Sequence, residues 1–219
     1  MKPVRTPRIL ITTGPTVEPI DPVRFISNRS TGLMGYELAN EARKRKYKVT
    51  LISGRSSLKP PKGIKFLRIE TARQLYETVH RELKKNDILV MSSAVSDFRP
   101  VVFSRNKIKS RESLTLELVK NPDILGSISK KDRKNKIIIG FSLETRDLLK
   151  NASKKLKNKH LDLIVANRAD RENLPFGKGA KTVYLLDRLG RRKKLEKVTK
   201  ARIAGAILDT VGELCYTPN

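Results

Sequence analysis

The chain has 219 residues, enough to bury one full α/β core; its 38% apolar content falls in short runs, none long enough to span a membrane. Cys215 alone excludes an internal disulfide, and with only His80 and His160 beside it the usual zinc ligand sets are missing. The net charge of +26 is spread through segments such as Arg43–Lys46, Lys154–Lys155 and Arg191–Lys194, and only 5% of residues are aromatic. It therefore reads as solvated faces with incidental nucleic-acid affinity.

In chain order, Ile9–Thr13 is a short apolar and β-branched run closed by Gly14-Pro15, which predicts a buried strand. A long insertion with three prolines, two acids and two arginines separates Gly14 from Gly32. A helix is expected from Leu33 to Arg45, with Thr31 as its N-cap. Lys48–Ser53 and Lys65–Ile69 read as strands, and Thr71 caps a helix from Ala72 to Lys85. Ile88–Met91 is apolar throughout, as a central strand buried on both faces must be. Phe103–Leu118, ending in the alternating Leu114–Leu118, predicts a hairpin or flap. Asn121-Pro122-Asp123 is expected to open a helix, since proline suits the first turn. The strand Lys136–Phe141, a helix around Arg146–Lys157 and the strand Asp162–Asn167 continue the alternation. Asp187-Arg188-Leu189-Gly190 then marks a hairpin, and an amphipathic helix runs from Lys200 to Leu214. Together these elements predict a single α/β domain over residues 1–219: a doubly wound, mostly parallel sheet with helices on both faces and a C-terminal antiparallel hairpin.

Three loops fall at the carboxyl ends of strands, where open α/β sheets hold ligands: Gly14–Gly32, Ser92–Lys109 and Phe141–Thr145. They offer backbone amides, small residues, Asp97, Lys107 and Lys109, which suits a nucleoside triphosphate and its Mg²⁺. Neither the compact G-x-G-x-x-G fingerprint nor the G-x-x-x-x-G-K-[ST] loop is present, so an ordinary NAD site is a poor fit and a P-loop enzyme is excluded. A nicotinamide-dependent reductase would usually also need Tyr-x-x-x-Lys, and none of the five tyrosines has a lysine four residues on.

The same loops resemble a known family. GPTVEPIDPVRFISNRSTGLMG, SAVSDFRP, KIKS, LVKNPDIL, GFSLET and DLIVAN occur here in the order found in phosphopantothenate–cysteine ligases. These form the synthetase half of the bacterial coenzyme A biosynthesis flavoprotein, and the resemblance runs from about Ile9 to Leu186. It implies a Rossmann-like, cytoplasmic, homodimeric enzyme without the flavin-binding decarboxylase half, hence a stand-alone ligase. The implied reaction activates 4′-phosphopantothenate with CTP as an acyl-cytidylate, with Mg²⁺ or Mn²⁺, releasing pyrophosphate. L-Cysteine then displaces CMP. ATP is the alternative nucleotide.

By motif position the resemblance implies that Lys107 serves acyl-nucleotide formation, while Asn28 and Arg24 serve the cysteine step. It implies a nucleotide pocket made from Ser92, Ser93 and Ala94 through backbone, and from Asp97 toward the ribose. Pro122, Asp123, Ile124, Leu125 and Phe141 would flank the base. Lys155 and Lys159, four apart on one helical face, match nucleotide-binding lysines. Three departures stand out. KIKS has Ser110 where a third basic residue is usual, SAVSDF replaces the commoner AAVADY, and FGKGAK lacks the usual asparagine. The hairpin after Phe176 is the expected dimer contact. A basic nucleic-acid-binding protein is the non-enzyme alternative.

Overall fold

A computed structural model of the chain describes residues 6–110, 112–169 and 179–215. The N-terminal half contains β1 (Arg8–Thr13), β2 (Val17–Pro19), β3 (Phe25–Ser27), α1 (Leu33–Lys44), β4 (Lys48–Ser53), β5 (Lys65–Arg68), α2 (Ala72–Leu83), β6 (Ile88–Met91) and β7 (Phe98–Pro100). The rest contains β8 (Leu118–Lys120), α3 (Lys130–Arg133), β9 (Ile137–Glu144), α4 (Leu148–Asn158), β10 (Leu163–Arg168), β11 (Lys181–Asp187), β12 (Arg192–Val198) and α5 (Lys200–Cys215). Among the described residues, eight strands form one sheet in the order β12-β11-β10-β9-β6-β1-β4-β5. The six from β10 to β5 run parallel, and β11 and β12 close the edge antiparallel, as the alternation and the hairpin signal predict.

Parallel strands must be covered on both faces, and the pleat sends alternate residues of each strand to opposite sides. In β1, Ile9 and Ile11 join Leu38, Ala39, Ile207 and Val211 in the core under α1 and α5. Leu10 between them joins Leu75, Val79, Leu89 and Ile138 in the core beneath α2 on the other face. β1 is the hinge of the winding, with β4 and its α1 crossover on one side and β6 on the other. Loops leaving β1 and β6 therefore diverge and open a crevice at their carboxyl ends.

Four local expectations are corrected. Thr31 is not the N-cap of α1; Gly32 is, at φ 79°, and it accepts a hydrogen bond from the Thr13 hydroxyl at 2.5 Å. The helix starts so close to β1 that a side chain on Gly35 would collide with Thr13, and only glycine enters the left-handed turn without strain. Asn121-Pro122-Asp123 opens a single turn and no helix. The Asp123 carboxylate accepts the Gly126 N–H and its carbonyl accepts the Ser127 N–H, so the turn closes on itself. The proline-rich insertion folds into the β2–β3 ribbon. Finally, of the alternating Leu114–Leu118 only Leu118 joins a strand, β8, which runs on to Lys120 and pairs with Phe98–Pro100. No helix among the described residues is long and apolar enough to cross a membrane. Phe176 lies outside the described residues.

Candidate active site

The crevice is a cavity of about 870 Å³. Its floor is the stitching of the β1 and β6 loops. The Ala94 N–H donates to the Gly14 carbonyl at 3.0 Å, and the Ala94 carbonyl accepts the Thr16 N–H at 3.1 Å. Asn28 Nδ2 reaches the same carbonyl at 2.9 Å, which fixes the side chain at the cavity wall. A carboxamide carries two N–H donors, so the second stays available to a ligand carbonyl. Ser92 contributes more than backbone: its hydroxyl donates to the Thr12 carbonyl at 2.6 Å. The Ser93 hydroxyl oxygen is buried without a hydrogen-bond partner.

Opposite this floor, the turn after β8 and the helix α4 form a charged wall. Pro122, Asp123, Ile124 and Leu125 all face the cavity, as do Phe141, Lys155, Lys159 and Asp97. Asn121 Nδ2 holds the Ser96 carbonyl at 2.9 Å, tying the turn to the β6 loop. Asp123 is ion-paired with Lys159. Burial alone would raise the Asp123 carboxyl, but the Lys159 hydrogen bond and the Gly126 N–H overcome it and hold the group below its usual range. Lys155 Nζ donates to the Phe141 carbonyl at 2.8 Å. Burial lowers its pKa, and Glu144 and Asp97 offset this only in part. The two lysines of one helical face thus converge on the cavity.

Arg24 and Lys107 are placed differently, outside the cavity lining. Arg24 clamps Asp21 through Nε at 2.9 Å and Nη2 at 2.5 Å, and Nη2 also donates to the Ile108 carbonyl at 2.6 Å. The Ile108 N–H returns to Asp21 at 3.1 Å. This latch pins the flap to the β2–β3 ribbon and leaves the Lys107 side chain exposed beside it. Asp21 is 2% exposed. Burial would raise its carboxyl, yet the Arg24 side chain and the N–H groups of Arg24, Val23 and Ile108 pull it well below the carboxylate range. So Asn28 and Asp97 share one cavity, whereas Arg24 and Lys107 share a latch next to it.

Sequence reasoning missed Asp21, Asn121, Lys181 and Lys200, the last three at the cavity wall. The signal for Lys181 was present: it falls in phase with the buried Val183 and Leu185 of its strand. Among the described residues, no group of three His, Cys, Asp or Glu side chains is arranged to hold a metal ion.

A parallel sheet with an amide-rich, cation-lined crevice at its switch point defines an α/β domain built to hold an anionic ligand. Residues 4–214 match the family described as the DNA/pantothenate metabolism flavoprotein C-terminal domain, and the chain belongs to it. It is 37% identical over 216 residues to the coenzyme A biosynthesis bifunctional protein CoaBC of Vibrio vulnificus, covering 97% of this chain and 54% of that protein. The chain thus spans about half the length of the curated relatives it matches. A crystal structure of the C-terminal domain of CoaBC superimposes with a TM-score of 0.81 at 32% identity, covering 95% of both chains. A Cab2 mutant in complex with phosphopantothenate-cysteine shares the fold, with a TM-score of 0.70 at 19% identity over 96% of this chain and 89% of that one.

Proposed function

We propose that the chain is a phosphopantothenate–cysteine ligase of coenzyme A biosynthesis. It condenses 4′-phosphopantothenate with L-cysteine through an acyl-cytidylate made from CTP, releasing pyrophosphate and then CMP. The observation that carries this reading is the single cavity where Asn28, the 92–97 loop, the 122–125 turn and Lys155 meet. Membership of a family whose relatives are named for coenzyme A biosynthesis supports it.

A carboxylate is a poor electrophile, and joining it to a nucleotide phosphorus supplies a leaving group. The chain's part is positioning and charge neutralisation. Asp97, in no ion pair among the described residues, is available to the ribose. Phe141 and the 122–125 turn flank the base. Lys107 supplies charge to the reacting phosphate as the flap folds over bound substrates, and the Asp21–Arg24 latch sets where that lysine starts. A Mg²⁺ held by the triphosphate oxygens would supply further charge neutralisation. Asn28 uses its second N–H to hold the acyl carbonyl while the cysteine amine attacks.

The chain is also read as pairing with a second copy. Val23, Phe25, Phe98, Val101, Val102 and Phe103 are all exposed on the β2–β3 and β7–β8 ribbons and the chain beside them. They make a better apolar contact than the charged β11–β12 hairpin, and a mass of about twice 24.8 kDa in solution would support the pairing.

The deciding experiment measures pyrophosphate release with phosphopantothenate and each of the four nucleoside triphosphates, with and without cysteine. Release with CTP that needs Mg²⁺ and phosphopantothenate supports the reading. Asn28→Asp is expected to accumulate acyl-cytidylate, and normal cysteine transfer by that variant would remove Asn28 from the second step. No release with any nucleotide, together with tight RNA binding that falls steeply with salt, would replace the ligase by a nucleic-acid-binding protein.

A further inference from the structure

The cavity has a second cationic end that the steps above leave idle. Lys181, the first residue of β11, is only 4% exposed, and it lines the cavity. No carboxylate among the described residues forms an ion pair with it. Lys181 stands opposite Val198 in the β11–β12 pairing, so Lys200, two residues on, reaches the same wall at the start of α5. Val165, Val183 and Ile203 stand alongside, with Asn167 as the polar neighbour on β10. The Thr199 hydroxyl caps α5 by accepting the Arg202 N–H at 3.2 Å, but no acidic residue occupies the first turn, so no side-chain charge offsets the positive end of this 16-residue helix.

Two ammonium groups brought together in a low-dielectric pocket repel each other, and a buried charge is costly unless it is paired. Lys200 registers this directly: burial, and then the charge of Lys181, depress its pKa. Such an arrangement persists where the counter-charge arrives with a ligand. Two point charges on one wall suit a phosphoryl group, whose several oxygens accept from more than one ammonium.

We propose that Lys181 and Lys200 form a phosphoryl-binding subsite at the α5 end of the cavity. The phosphoryl group comes either from the nucleoside triphosphate or from the phosphorylated acid. Only that choice of source rests on the ligase reading. The cation pair itself does not.

Inorganic pyrophosphate is the probe, titrated by calorimetry into the full chain. Lys181→Gln is expected to weaken binding about tenfold, the usual scale for losing a charge-assisted contact, with Lys200→Gln acting in the same direction. Lys181→Arg keeps the charge and should stay within about threefold of the wild type. Lys193→Gln removes one exposed charge from the same hairpin and should change binding by less than about twofold, since exposed charges are screened. The ligand-free Lys181→Gln chain should melt no lower than the wild type, because the change relieves repulsion, and it should lose the pyrophosphate-induced rise in Tm. A wild type that binds no pyrophosphate, equal binding by Lys181→Gln, or equal weakening by Lys193→Gln would each overturn the subsite. In turnover, a raised KM for CTP alone assigns the triphosphate, and a raised KM for phosphopantothenate alone assigns that phosphate. Neither KM moving in an active Lys181→Gln variant would also overturn it. A wild type that binds pyrophosphate yet turns over no substrate would sink the ligase reading and leave the binding comparison to decide the subsite.

Discussion

The central sheet and the flap that lies beside it are held by opposite means. In the sheet, Ile9, Leu10 and Ile11 are each 0% exposed, and every one is fixed by neighbours on two strands and a helix. In the flap, Val101, Val102 and Phe103 are exposed, and the segment is tied back chiefly by Asp21, Arg24 and the backbone of Ile108. Redundant burial makes the sheet a rigid base for the floor of the cavity. A latch of a few polar contacts leaves the lysine beside it free to move without disturbing that floor, which is how catalytic loops commonly divide the work with their scaffolds.

The largest expected effect separates these two regions by stability. Ile11→Ala should destabilise the fold by about 3 kcal/mol, through lost burial and the cavity left behind. For a domain of this size that lowers Tm by roughly 10 °C in a thermal melt. Lys107→Ala should do the reverse: no measurable change in Tm, and about a hundredfold slower acyl-cytidylate formation in a quenched single-turnover assay. Full activity in that variant would remove Lys107 from the mechanism, and a collapse in Tm would show that the flap is no separate layer.

The latch gives an intermediate effect. Asp21→Asn removes the ion pair with Arg24 and weakens the hold on Ile108, so limited proteolysis within 101–117 should run about tenfold faster while the core melts almost unchanged. The pH dependence has a definite sign. The Asp21 carboxyl lies well below its usual range in the folded chain, so the unfolded chain binds its proton first as pH falls. Its contribution is complete above the unfolded value of about 4 and is lost only as pH drops through the folded value, in strongly acidic solution. Proteolysis of the flap should therefore be flat from neutral pH down to about 4 in the wild type. A rise in cleavage near pH 6 would point to some other latch.

What sequence reasoning reached follows the same division. Ile88–Met91 announced a central strand because burial on both faces demands an unbroken apolar run, and it sits between β1 and β9. The doubly wound sheet, the hairpin and the helix behind Thr71 all came from local period and local caps. The latch did not, because Asp21 and Ile108 are 87 residues apart and no period links them. Thr31 looked like a cap by residue type, but the close approach of α1 to Thr13 hands the position to Gly32. Asp123 read as the start of a helix because local rules could not see Lys159, 36 residues on and on the same wall of the cavity, whose ion pair helps hold the Asp123 side chain in a turn. Motif order brought Asn28 and Asp97 to one cavity, while Lys181 figured only as part of FGKGAK, a departure from the family pattern with no role attached.

The smallest predicted effect lies at the helix most remote in kind from the flap. The Thr71 hydroxyl accepts the Gln74 N–H at 3.1 Å, and Gln74 Oε1 accepts the Thr71 N–H at 3.3 Å, closing a capping box at the start of α2. Gln74 Oε1 also takes the Glu70 N–H at 2.7 Å, so its side chain serves two donors. Thr71→Ala should cost about 1 kcal/mol, Gln74→Ala less, and the double variant less than their sum, since each half of the box orients the other. Chemical denaturation of the four chains gives that coupling directly. α2 covers the sheet face through Leu75 and Val79 and lines no part of the cavity, so the ligase rate of all four should agree. A rate that tracked the cap would mean that the scaffold and the reacting loops are mechanically joined, against the division inferred from the latch.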